Sequence, residues 1–242
     1  MNIFFYAVTY SFKRQFSIAF KDFSLTMRGR FITLEGGEGS GKTTQAALLG
    51  NALGAAGKQV HVVRSPGGTA IAEKLRTILK TREPGEELTP ETELLLFGAC
   101  HSQMVETLLK PELEQGIHVI SDRFFDSTTV YQGCARGIDR NMLDTINRFS
   151  CRGLKPDLTI VLDLDPELGM RRSAGRVDRA AFENDRFDSE TMAFHRAVRE
   201  GFLRLAEQDP KRIRVIDAGA SVEEVARAVR ECVKNELGLE LL

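Results

Sequence analysis

The run Gly36-Gly37-Glu38-Gly39-Ser40-Gly41-Lys42-Thr43 fits the pattern G-x-x-x-x-G-K-S/T at every fixed position. Its flanks agree with it. Phe31-Ile32-Thr33-Leu34-Glu35 reads as a short strand, and Thr44-Gln45-Ala46-Ala47-Leu48-Leu49 opens a helix. Strand, loop and helix stand in the order that lets a loop wrap a phosphate. Glycines let backbone N–H groups curl around phosphate oxygens without Cβ clashes, and the helix N-terminus adds partial positive charge. Lys42 can reach β- and γ-phosphates, and the Thr43 hydroxyl can ligate Mg²⁺. The candidate nucleotide-binding residues are therefore Gly36, Gly37, Glu38, Gly39, Ser40, Gly41, Lys42, Thr43 and Thr44. The plainer alternative is a glycine-rich turn with a chance lysine. The ordered strand and helix around the loop argue against it.

Short apolar runs at 31–35, 59–64, 117–121, 158–163 and 213–216 alternate with helical stretches. The helical stretches fall at about 42–56, 69–80, 90–110, 140–150, 166–173, 188–208 and 222–236. Thr89-Pro90-Glu91 supplies an N-cap, a first-turn proline and an early acid. The alternation predicts an α/β fold: a five-stranded parallel sheet with helices on both faces and ligands at the carboxyl ends of the strands. Residues 27–242 read as one domain with a mobile excursion, a lid, at about 171–187.

Composition excludes several function classes. The net charge of -1 offers no global basic field for nucleic acid. Four cysteines, Cys100, Cys134, Cys151 and Cys232, form no C-x-x-C pair and suit reduced thiols in the cytoplasm. The four histidines show no metal-ligand spacing. No apolar run is long enough to cross a membrane. Residues 1–26 stand apart, with eight of the 18 aromatic residues and Asp22 as their only acid. They read as an extension: a misplaced translation start or an accessory tail, with contact to a membrane surface as the other reading.

Downstream, Val119-Ile120-Ser121-Asp122-Arg123 places an acid at the carboxyl end of an apolar strand. Asp122 is a candidate to hold Mg²⁺ directly or through water. Arg123 beside it could grip a second phosphate bidentately; a surface salt bridge is the alternative.

With these blocks in view the chain resembles the bacterial thymidylate kinases. The segment from Phe31 to Thr44 is similar to that family's F-x-x-x-E-G-x-E-G-x-G-K-S/T-T. Arg64-Ser65-Pro66-Gly67-Gly68-Thr69, followed by Glu73-Lys74-Leu75-Arg76, resembles its R-E-P-G-G-T block. Leu95-Leu96-Phe97-Gly98-Ala99 resembles L-L-F-x-A, and Asp122-Arg123-Phe124-Phe125-Asp126-Ser127-Thr128 with Tyr131-Gln132-Gly133 resembles the D-R to Y-Q-G block. Asp185-Arg186-Phe187-Asp188 and Phe194-His195 resemble the end of the lid and the helix after it. The resemblance covers about residues 27–230. It implies a three-layer P-loop NTPase fold, ATP and dTMP as substrates, Mg²⁺, and a homodimer formed through helices that include 90–110.

The resemblance also implies roles. Phe97 would stack on the acceptor's base, and Gln132 would hydrogen-bond the base edge. Arg76 and Arg123 would hold the acceptor phosphate. Glu38 would accept from the sugar 3′-hydroxyl or sit near the metal. Ser127, Thr128, His101 and Asp188 would add contacts to the acceptor. Arg172, Arg176, Arg179 and Arg186 would act collectively from the lid, neutralising charge on the moving phosphoryl beside Lys42. Each residue also has a bland reading: Phe97 in the core, Gln132 in a polar turn, Arg76 in solvent, Ser127 and Thr128 as helix caps. The chain departs from the family pattern at Ser65 for glutamate, His101 for arginine, Met104 for histidine and Asp188 for glutamate. Neutral imidazole offers one donor where arginine offers a charged fork, so base selection is where this chain differs most. A kinase for another nucleoside monophosphate, or a non-catalytic ATP-binding module, remains the alternative.

Overall fold

The computed structural model describes residues 28–175, 186–187 and 190–241. The expected extension at 1–26, and Arg176, Arg179 and Asp188 of the expected lid, lie outside the described residues.

Each of the five apolar runs forms a strand: β1 (Phe31–Glu35), β2 (Val60–Arg64), β3 (His118–Asp122), β4 (Leu158–Asp163) and β5 (Ile213–Asp217). They pair in parallel throughout, in the order β2-β3-β1-β4-β5. Among the described residues the helices are α1 (Lys42–Ala55), α2 (Ala70–Lys80), α3 (Pro90–Met104), α4 (Lys110–Glu114), α5 (Phe125–Thr128), α6 (Arg140–Ser150), α7 (Pro166–Ala174), α8 (Met192–Gln208) and α9 (Val222–Leu237).

Strand alternation divides the core between the two faces of the sheet. Ile32 and Leu34 of β1, with Leu158, Ile160 and Leu162 of β4, pack against Leu49 and Leu53 of α1 and Val225, Val229 and Val233 of α9. On the other face Phe31 and Val119 meet Met104 and Leu109, while Val161 meets Val198 and Phe202 of α8. Several polar side chains inside the second layer are paired. The Thr33 and Thr159 hydroxyls lie 2.7 Å apart, and Asp126 takes Arg212 at 2.6 and 2.9 Å on its two oxygens. Each strand ends in a charged residue: Glu35, Arg64, Asp122, Asp163 and Asp217. Parallel pairing brings these five to one edge of the sheet.

Two helical features depart from expectation. The helix expected over 90–110 is interrupted by a π-helical turn, Val105–Leu109, between α3 and α4. Apolar spacing carries on through such a turn, so periodicity does not reveal it. Residues 125–135, outside the expected helical stretches, form α5 and a second π-helical segment, Thr129–Ala135. Buried tertiary bonds hold this segment despite its weak helix formers: Asn147 donates to Thr129 Oγ1 at 3.1 Å, besides the Asp126–Arg212 pair.

Candidate active site

The phosphate loop leaves β1 and is clamped from two sides. At Gly36, φ is 134°, and a Cβ there would lie 2.4 Å from the Leu162 carbonyl oxygen. At Gly39, φ is 68°, and a Cβ would lie 2.0 Å from the carbonyl oxygen of Gly169 in α7. Only glycine tolerates both demands. Gly41 precedes α1 without a side-chain cap, which leaves the first N–H groups of that helix for a ligand. Lys42 Nζ donates to Gly37 O at 2.6 Å and to Ser40 Oγ at 3.2 Å. Burial, reinforced by the nearby Arg123, lowers its ammonium group to about 8 despite Glu38 and Asp122. The Thr43 hydroxyl donates to Asp122 Oδ2 at 2.5 Å, so the two expected metal ligands stand together.

Arg123 follows Asp122 with φ 72°, a left-handed conformation rare for a residue bearing a Cβ. Its guanidinium donates to Gly36 O at 2.9 Å, Ser127 Oγ at 3.0 Å and Glu38 Oε2 at 2.6 Å. Glu38 also accepts from the Tyr131 hydroxyl at 2.8 Å. Burial works against the Glu38 carboxylate, but Arg123 and Lys42 outweigh it and hold the group at about 2. Burial likewise disfavours the Arg123 charge; Glu38, Tyr131, Asp122 and Glu35 together more than offset this, and its pKa is raised. Beneath them Glu35, fully buried at the end of β1, accepts from Phe124 N at 2.7 Å and from Ser127 Oγ at 2.5 Å. Burial first, then Asp126, pushes Glu35 up to about 8 against the pull of Arg123.

A cavity of about 570 Å³ runs from this loop across the carboxyl edge of β1, β3 and β2. Its lining includes Glu38, Gly41, Lys42, Thr43, Thr44 and Asp122, and also Arg76, Phe97, His101, Arg123, Ser127, Thr128 and Gln132. Arg76 donates to Pro66 O at 2.8 Å. The Phe97 ring is half-buried, 6.1 Å from that of Phe187; it packs beside the Ala72, Leu79 and Cys100 cluster and also borders the cavity. His101 packs against Phe124 with ring centroids 5.0 Å apart, and burial drives its imidazole down to about 4, so it is neutral near pH 7. Three buried polar atoms here have no partner among the described residues: His101 Nδ1, Thr128 Oγ1 and Gln132 Oε1. Unsatisfied buried atoms are costly unless a ligand completes them.

Other expected residues are placed differently. Arg172 does not line the cavity; it donates to the carbonyl oxygens of Ala218 at 2.9 Å and Gly219 at 3.4 Å, tying α7 to the end of β5. Arg171 and Arg172 belong to the last turn of α7, so the first residues of the expected excursion, 171–174, are helical. Arg186 reaches the acceptor half, donating to Glu93 Oε2 at 2.7 Å and Leu79 O at 2.9 Å. Ser127 and Thr128 lie inside α5 and cap nothing. Met104, in place of a histidine, is fully buried in the core.

Sequence reasoning missed Glu35, Glu93, Tyr131 and Arg136. Glu93 is 1% exposed and meets Gln132, Arg136 and Arg186. A signal existed: Glu93, Phe97 and His101 repeat every four residues along α3, and so do Gln132 and Arg136 downstream.

The family model described as "Thymidylate kinase" matches residues 34–229. The thymidylate kinase of Pelobacter propionicus is 44% identical over 211 residues, covering 86% of this chain and 96% of that protein. The thymidylate kinase of Desulfosudis oleivorans is 46% identical over 198 residues, covering 81% and 92%. Among solved structures, the crystal structure of thymidylate kinase from Ehrlichia chaffeensis aligns with a TM-score of 0.67 at 33% identity, covering 85% of this chain and 99% of that one. With the phosphate loop, the Asp122–Arg123 strand end and these matches in agreement, the chain belongs to the thymidylate kinase family.

Proposed function

We propose that this protein transfers the γ-phosphoryl group of ATP to dTMP, giving ADP and dTDP. The observation that carries the reading is one cavity joining the phosphate loop to three unpartnered polar atoms that suit a base. Thymine presents two carbonyl acceptors around one N–H donor. Neutral His101 and the Thr128 hydroxyl can donate, and Gln132 Oε1 can only accept.

In this reading Lys42 and the N–H groups opening α1 hold the ATP phosphates. Arg76 and Arg123 hold the acceptor phosphate, Phe97 faces the base, and Glu38 positions Arg123 and takes the sugar hydroxyl. Thr43 and Asp122 offer a hydroxyl and a carboxylate, hard oxygen donors that fit Mg²⁺. No cluster of three or more acid, histidine or cysteine ligands exists among the described residues, so phosphate oxygens and water would complete the shell. Mg²⁺, when bound, supplies charge neutralisation across the β- and γ-phosphates. An anionic oxygen of the acceptor phosphate forms the new bond to Pγ while the bond from Pγ to the bridging oxygen breaks, and ADP leaves with that electron pair. The attacking oxygen is already anionic, so the chain has no general base to provide. Arg176 and Arg179 are the arginines that the reading retains for the lid.

The proposal extends to one domain over 27–242 and to a homodimer in the cytoplasm. Leu95 of α3 and Met142 and Phe149 of α6 are more than half exposed, on helices that meet where Gly98 approaches Ser150. No helix among the described residues is long and apolar enough to cross a membrane, and the four cysteines carry no disulfide.

Coupled ADP release with ATP and Mg²⁺ tests the activity, comparing dTMP, dUMP, dCMP, purine monophosphates and no acceptor. dTMP should give the highest kcat/KM. ATP binding with no dTMP-dependent turnover would overturn the reading.

A further inference from the structure

Gln132 is fixed from one side and open on the other. Its Nε2 donates to Glu93 Oε1 at 2.8 Å, while its buried Oε1 has no partner among the described residues. A carboxylate has no hydrogen to give. Glu93 is held in turn, accepting from Arg136 Nε at 3.3 Å and from Arg186 Nη2 at 2.7 Å. If the Gln132 amide turned over, two acceptors would face each other at 2.8 Å and an N–H would be stranded. The amide therefore keeps one orientation and presents only an acceptor to the cavity.

We propose that Glu93 is a specificity-determining positioning residue: by pinning the Gln132 amide, it makes the acceptor site demand a ring N–H. This rests on the proposed function, in which the base lies against Gln132. Thymine and uracil carry that hydrogen on N3. Cytosine carries a lone pair there and meets a fixed acceptor, the kind of mismatch that buried polar sites reject most strongly. The selection of 4-oxo over 4-amino pyrimidines then begins in an ion-paired carboxylate that touches no substrate.

Glu93→Gln tests this, because an amide at 93 can donate or accept and lets Gln132 turn. The kcat/KM ratio of dTMP to dCMP should fall at least about tenfold, the dCMP value rising against the dTMP value. Glu93→Asp keeps an acceptor-only group and should keep the ratio even if the variant melts earlier. In a Gln132→Ala background, Glu93→Gln should leave the ratio where Gln132→Ala put it, because the effect runs through that amide. Equal losses on both substrates, with the ratio unchanged, would make Glu93 merely structural and overturn the proposal. Wild-type protein inactive on dTMP would sink the proposed function instead. Calorimetric binding of dTMP and dCMP to the same variants then reads the preference directly, and an unshifted preference overturns this inference as well.

Discussion

Arg123 occupies a backbone conformation that costs of order 1–3 kcal/mol for a residue with a side chain, and its guanidinium serves three groups at once. Lysine is a point charge on a flexible stem and cannot reproduce that fork. Arg123→Lys should lower kcat/KM for dTMP by about 100-fold or more, about 2.7 kcal/mol or above, with an unchanged circular dichroism spectrum; the coupled assay reads it. Glu35 gives a pH prediction. Its pKa is about 8 in the fold against 4.5 ordinarily, so its contribution is complete below 4.5 and is lost as pH rises through 8. His101, lowered from 6.5 to about 4, acts at more acidic pH; Lys42, lowered from 10.5 to about 8, acts at more alkaline pH. The decline in melting temperature between about pH 6.5 and 8 should therefore flatten in Glu35→Gln, and calorimetry over that window would show an unchanged slope if Glu35 were not the source. Lys42, Thr43 and Asp122 were legible in the sequence because each belongs to a local pattern whose spacing fixes its place. Glu35 and Glu93 were not. Their partners, Ser127 and Gln132, lie 92 and 39 residues away, and only packing brings them together.

Helices with explicit start signals were the easiest elements to read. Thr89 caps α3 as expected, accepting from Thr92 N at 3.2 Å ahead of Pro90. The last helix carries a full capping box between Ser221 and Glu224. Ser221→Ala should cost about 1 kcal/mol in urea unfolding while turnover stays at the wild-type rate; a larger loss would mean that Ser221 does more than cap. The segment Asp126–Ala135 carried no such signal. Serine, threonines, valine and glycine are weak helix formers, and the residues that stabilise them, Arg212 and Asn147, come later in the chain. The π turns at Val105–Leu109 and Thr129–Ala135 leave no trace in apolar spacing, yet the second carries Tyr131 and Gln132 into the cavity.

For the molecule as a whole, the alternation of runs announced a parallel sheet, but the order β2-β3-β1-β4-β5 was not written in it. That order sets β1 and β3 side by side so that Thr43 meets Asp122. Leu95, Met142 and Phe149 leave apolar surface exposed on α3 and α6. Sedimentation should show a dimer for the wild type and a monomer for Leu95→Asp/Phe149→Asp; an unaltered mass would move the interface elsewhere. The sheet also has a quiet side. At the amino edge Arg28 pairs with Asp157 at 3.0 Å, and Gly29 N donates to Leu113 O at 2.8 Å. From there β1 runs five residues, about 16 Å of strand, before the phosphate loop begins. A fluorophore, affinity handle or surface tether joined directly to Arg28, in place of the residues before it, thus arrives on the side away from the cavity. Immobilised protein oriented by that end would keep its chemistry facing the solution.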